Sequence, residues 1–207
     1  MRCNNREEFP LEPVPLWNLV EEYLFLVSHG FLADVGAAVL MPNHLHLLLF
    51  VREQGLPQIM QYFLRELSRE VSRQTQRSNH LFGNRYFSSV IKSEVHLQTV
   101  YKYIYLNPVK AGMTDSVLKY RFSTLPGQLG LCPLLTPVID PLELVDNSEQ
   151  ILNWLDSRYD QQTWERIRKG LRRAEFKPAS HPSRRKEPTD PVEALAALHI
   201  KKVCGTF

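Results

Sequence analysis

Cysteine is scarce and scattered in this chain: Cys3, Cys132 and Cys204 are the only three among 207 residues, and no Cys-x-x-Cys pair occurs. That spacing speaks against a disulfide framework or a zinc knuckle. No apolar run reaches the roughly 18 residues that a membrane span needs. The opening Met1-Arg2-Cys3-Asn4-Asn5-Arg6 has no apolar core of the kind a secretory signal carries. A cytoplasmic protein with no membrane partner is therefore expected. Charge of one sign is also in short supply, since a net charge of +3 cannot by itself argue for a polyanion partner. An obvious Glu-rich cluster that would hold two metals is missing too.

The positive charge that exists is concentrated. Between Arg158 and Lys186 stand ten basic residues (Arg158, Arg166, Arg168, Lys169, Arg172, Arg173, Lys177, Arg184, Arg185, Lys186) against Asp160, Glu165 and Glu175. Such a block suits a polyanion; a solvated helix and tail would look the same.

Periodicity orders the rest. Leu16, Leu19, Val20, Tyr23, Leu24 and Val27 recur at helical spacing and predict a helix over 14–31 that ends near Gly30. Val35–Leu40 is short and apolar, Pro42-Asn43 is turn chemistry, and His44–Val51 follows as a strand, which together predict a hairpin. A second helix is expected from Pro57 to about Arg77, a third strand from Arg85 to Ile91, and a third helix from Val95 to about Asn107. Pro108 should help end that helix, because the residue before proline resists the helical conformation. Beyond Leu125 the succession Pro126, Gly127, Gly130, Pro133, Pro137 and Pro141 predicts a linker. Ser148 is placed to cap a helix carrying Ile151, Leu152, Trp154 and Leu155. Another helix, about Gln162 to Arg173, carries Trp164, Ile167 and Leu171, and the two tryptophans are expected to pack a small helical core. A mobile tail with a short helix near 192–202 would complete the chain.

The most informative segment is Met41-Pro42-Asn43-His44-Leu45-His46-Leu47-Leu48-Leu49-Phe50. In a strand, residues i and i+2 share a face, so His44 and His46 stand side by side while Leu45, Leu47 and Leu49 face the other way. Two imidazoles in a Leu/Phe strand are costly to bury without a partner, and a divalent metal is the simplest one. Two neutral nitrogen ligands leave most of a coordination sphere open, unlike a structural zinc site closed by four.

A second segment, Tyr101-Lys102-Tyr103-Ile104-Tyr105-Leu106-Asn107-Pro108-Val109-Lys110-Ala111-Gly112, lies some sixty residues on. Together the two segments resemble the HUH (His-hydrophobic-His) single-tyrosine transposases, most of all those associated with repetitive extragenic palindromes. The resemblance spans roughly residues 2 to 125. It implies a ferredoxin-like α+β fold, an antiparallel sheet with helices on one face, with a small C-terminal helical appendage. The domain division it implies is a catalytic domain over 1–125, a linker and helical appendage over 126–177, and a basic tail over 178–207. One element is expected to be missing: in the family an inner strand precedes a segment like Cys3–Arg6, and here Met1 sits almost where that strand should end. A start codon assigned too late, a partner chain or the C-terminal region would each account for the gap, as would an impaired protein.

The resemblance also implies roles. His44 and His46 would hold Mg²⁺ or Mn²⁺, and Asn107 is the best third ligand, through a carbonyl oxygen that suits a hard cation. The family often has glutamine at this place, one methylene longer, and a helix-terminal asparagine before proline needs no metal. Tyr103 and Asn107 are i and i+4 on one helical face, which selects Tyr103 as nucleophile over Tyr101 and Tyr105. The activity implied is a single-stranded DNA endonuclease and strand transferase acting on hairpins, in DNA transposition and recombination, through a 5′-phosphotyrosine intermediate; the protein would be a monomer or a homodimer. For DNA contact the sequence offers Arg65, Arg69 and Arg73, repeating every four residues with Arg77, though Glu66 and Glu70 beside them also fit ordinary charge pairing on an exposed helix. Arg85 and Tyr86 supply a basic-plus-aromatic pair suited to phosphate contact and base stacking, and Arg172 and Arg173 belong to the basic block. Two rivals stand beside this reading: a relative that binds hairpins without cutting, and a metallohydrolase whose His-x-His strand activates a water.

Overall fold

Helix α1, Pro13–Phe31, starts on a proline whose fixed φ suits the first helical turn. The structure, a computed structural model, describes residues 7–52, 55–78, 81–83, 85–140 and 148–178. The helix buries Leu16, Trp17, Leu19, Val20, Leu24 and Val27 on one stripe, the face the sequence assigns. It runs past Gly30 to Phe31 and stops at Leu32, which takes a left-handed conformation at φ 51°.

Strands β1 (Asp34–Met41) and β2 (His44–Phe50) form the expected antiparallel hairpin. Met41 pairs with His44, Val39 with His46 and Leu40 with Leu45. The two-residue turn is Pro42-Asn43, and neither residue has a positive φ. Proline fixes φ near −65°, so the turn is not of the primed type that two-residue hairpins prefer. A bulge between Val35 and Ala37 shifts the register. Gly36 sits in it, and a Cβ there would lie 2.6 Å from the Phe50 ring. Helix α2, Leu56–Thr75, buries Ile59, Met60, Phe63, Leu67 and Val71. One core joins α1, α2 and a single face of the hairpin, with Ala38, Leu40 and Leu45 buried and Leu47 and Leu49 packed against it. The architecture is α+β, with helices on one face of an antiparallel sheet.

Only two strands form a sheet among the described residues. The edge of β1 away from β2 is met by chain that follows helix α3 (Glu94–Lys110). Leu40 N donates to Phe122 O at 2.9 Å, Thr124 N to Ala38 O at 3.0 Å and Ile139 N to Val35 O at 2.9 Å. Thr124 Oγ1 also accepts from Ala38 N at 3.0 Å, and the Tyr120 hydroxyl donates to Leu40 O at 2.6 Å. Residues 120–139 thus cover the edge of β1, which if unpaired would invite another chain. The stretch expected as a linker is engaged here: Thr136 Oγ1 donates to Glu21 O at 2.6 Å, and Leu125–Gln128 forms the short helix α4.

Two expectations need correction. Arg85–Ile91 is not a strand; it makes a single parallel bridge, Val90 with Glu175, held by Val90 N to Ala174 O and Phe176 N to Val90 O, both 2.9 Å. The segment carries Ser88 and Ser89 and buries no alternating face, so it has nothing with which to join a ladder. Helix α3 does not end before Pro108 but continues to Lys110. Proline leaves the carbonyl four residues back without a backbone donor, and the Asn107 side-chain amide donates to that carbonyl, Ile104 O, at 3.5 Å.

The described residues group into two compact units. The first takes residues up to Tyr86 and Ile104–Ser157; the second takes Phe87–Tyr103 and the chain from Arg158 on. The division passes through α3 between Tyr103 and Ile104. In the first unit, helix α5 (Ser148–Asp156) buries Ile151 and Leu155, and its last residue, Asp156, accepts from Ser116 Oγ at 2.8 Å and Val117 N at 2.7 Å. In the second, helix α6 (Gln161–Gly170) is capped by Asp160, whose carboxylate accepts from Thr163 N at 2.6 Å. Trp164, Ile167 and Phe176 are buried there, so Trp154 and Trp164 belong to different units rather than to one small core. The Ser148 side chain, Arg184, Arg185, Lys186 and the expected helix near 192–202 lie outside the described residues.

Candidate active site

β2 brings His44 and His46 together on the face opposite Leu45, Leu47 and Leu49. Their rings meet edge to face, 4.8 Å between centroids. Both residues are half-buried, and the Nε2 atom of His46 is buried. Asn43 Oδ1 lies 2.6 Å from His44 Nδ1. An amide oxygen only accepts, so Nδ1 donates in this contact, and in the neutral ring Nε2 is then the lone-pair nitrogen. This is how metal-binding imidazoles are commonly oriented. The sequence holds the signal, since Asn43 precedes His44, but turn chemistry alone accounts for an asparagine there.

Asn107 is half-buried and belongs to the same unit. Its Nδ2 donates to Ile104 O, and its Oδ1 is the kind of atom a hard cation would use. Among the described residues no group of three or more His, Cys, Asp or Glu side chains is arranged to hold a metal. An amide oxygen is a donor type that can accompany two imidazoles on a hard cation. The donor set of two neutral nitrogens and one oxygen fits Mn²⁺ or Mg²⁺ with positions left open.

Three tyrosines line α3, and all are buried. The Tyr105 hydroxyl is tied to Thr124 Oγ1 at 2.9 Å. Tyr103, only 5% exposed, packs its ring on Trp164 of α6 at 4.5 Å. Its neighbour Lys102 is buried and places its ammonium 4.9 Å from the centre of the Tyr159 ring.

The arginine stripe of α2 is exposed but paired. Arg65 and Arg69 both reach the buried Glu66, at 2.8 and 2.6 Å, and Arg73 reaches Glu70 at 2.6 Å. The Arg73 and Gln74 hydrogen bonds hold the Glu70 carboxyl down to about 2. Arg65 and Arg69 share one carboxylate, so the stripe keeps a surplus of positive charge. Arg85 is exposed, whereas Tyr86 is half-buried against the core of the first unit. Arg172 and Arg173 are both exposed, just beyond α6.

Residues 15–107 match the model of the IS200-like transposases. That stretch holds the hairpin, both histidines, Tyr103 and Asn107. The match covers somewhat under half of the chain, which in that stretch is similar to the IS200-like transposases. The fold is similar to that of a REP-associated tyrosine transposase solved bound to a REP hairpin, with a TM-score of 0.52 over 67% of this chain and 82% of that one, at 20% identity. No curated protein sequence matches this chain. Among the described residues, no helix is long and apolar enough to cross a membrane.

Proposed function

We propose that this protein is a transposase that cuts and rejoins single-stranded, hairpin-forming DNA with Tyr103 as nucleophile. The observation that carries the reading is the pair of imidazoles on β2, with Asn43 setting the protonation of His44, in a chain whose 15–107 stretch is similar to the IS200-like transposases. The hairpin in the related solved structure supports the choice of substrate.

His44, His46 and Asn107 would hold one Mg²⁺ or Mn²⁺, which when bound polarises the scissile phosphate and offsets charge on the departing oxygen. The Tyr103 phenol loses its proton to solvent and its oxygen attacks phosphorus. The bond from phosphorus to the 3′-oxygen breaks, that oxygen leaves as a 3′-hydroxyl after taking up a proton, and a 5′-phosphotyrosine remains. One phosphodiester is exchanged for another. A phenol of pKa about 10 is a better leaving group than an alkoxide, so a DNA 3′-hydroxyl can later displace Tyr103 and reseal the strand without ATP.

The test is a denaturing gel on which protein and labelled hairpin oligonucleotide migrate together after incubation with Mn²⁺. Wild type should give the adduct; Tyr103→Phe and His44→Ala should not. One observation favours a second reading, a hairpin binder that does not cut: the ring of Tyr103 is covered by Trp164. Tight hairpin binding with no adduct from wild type would establish it.

A further inference from the structure

Phe87 is the most exposed large apolar residue described, at 82%, and the only aromatic among them. Leaving such a ring in water is unfavourable, and nothing in the fold requires it there. Its setting is built rather than frayed. Val90, three residues on and 58% exposed, is pinned through its backbone to Ala174 and Phe176. Glu175, at that bridge, is shared by Lys92 at 2.7 Å and Lys177 at 3.3 Å. Two ammoniums on one carboxylate leave a positive charge at the bridge that Val90 makes, three residues along the chain from Phe87.

The wider charge agrees. The described residues of the second unit carry nine Lys and Arg against four Asp and Glu, although the whole chain is only +3. Tyr86, the aromatic that the sequence offers for stacking, is spent on packing against the first unit's core. Phe87 beside it presents the bare ring.

We infer that Phe87 is a stacking platform for an unpaired nucleobase of a single DNA strand whose phosphates are attracted by Lys92, Lys177 and the neighbouring basic residues. An exposed ring with cations around it is the combination that single-strand binders use, the ring taking any base and the cations following the backbone. The inference rests on the proposed function only in needing single-stranded DNA; it needs no cutting.

The test is fluorescence anisotropy of the full chain with a labelled oligo(dT), without divalent metal. Phe87→Ala should weaken binding roughly five- to a hundredfold, as loss of one base stack does, and Phe87→Trp should restore it. The dependence of affinity on salt should not change in Phe87→Ala, because a neutral ring releases no counterions. An affinity within twofold of wild type for Phe87→Ala overturns the inference, and so does the absence of single-strand binding by wild type. A ring that instead serves a protein partner would give the first of these results. The covalent adduct, scored separately on a hairpin, reports on the proposed function whatever Phe87 does.

Discussion

Asn43 matters beyond its place in a turn, because its amide oxygen fixes which nitrogen of His44 is protonated. Partners of this kind tune metal affinity by about 10- to 100-fold. Asn43→Ala should weaken Mn²⁺ binding by that order in isothermal titration calorimetry, while thermal stability changes little. Tyr120 makes a different argument at the same scale. Burial pushes its phenol up to about 12, from the ordinary value of about 10, while its hydroxyl donates to Leu40 O. A raised phenol pKa costs nothing below pH 10, where both folded and unfolded forms are neutral; stability falls between about pH 10 and 12, where only the unfolded form ionises. Tyr120→Phe should lower the urea midpoint by about 1 kcal/mol of stability at neutral pH and flatten the loss seen above pH 10. A decline above pH 10 as steep as in wild type would contradict the assignment.

The hairpin shows what a sequence can and cannot carry about an element. Alternation in His44–Phe50 places both histidines on one face because side-chain direction in a strand depends only on parity. The bulge at Gly36 is not readable, since it answers to Phe50 and Leu48 across the ladder. Gly36→Ala would drive a methyl into the Phe50 ring and should cost about 1–3 kcal/mol in denaturant unfolding, with the histidines displaced from their register. Arg85–Ile91 misleads for a related reason. A short apolar run states a preference for extended backbone but not its partner, and here the partner is one residue pair at Glu175. Pro108 misleads in the opposite sense, because the side chain of Asn107 bonds the carbonyl that proline leaves without a donor. The arginine stripe on α2 is legible as spacing; that Glu66 serves two guanidiniums from a buried position is not.

At the scale of the molecule, charge and chemistry are distributed unevenly. The imidazoles and Asn107 belong to the first unit, while Tyr103 and most of the excess positive charge belong to the second. Composition hints at this through the block between Arg158 and Lys186, but packing, not sequence order, decides that Phe87–Tyr103 joins it. If Arg172 and Arg173 bind phosphates, replacing both with alanine should reduce the slope of log affinity against log salt by about 0.7 for each phosphate of a single strand that is no longer neutralised. An unchanged slope would remove them from the interface. The central claim, that Tyr103 carries the strand, is tested most directly by mass spectrometry of the protein after reaction with a hairpin oligonucleotide and Mn²⁺ and nuclease trimming of the DNA. The account predicts a nucleotide remnant on Tyr103 and on neither Tyr101 nor Tyr105. A remnant on another residue, or cleaved DNA with no remnant on the protein, would contradict it.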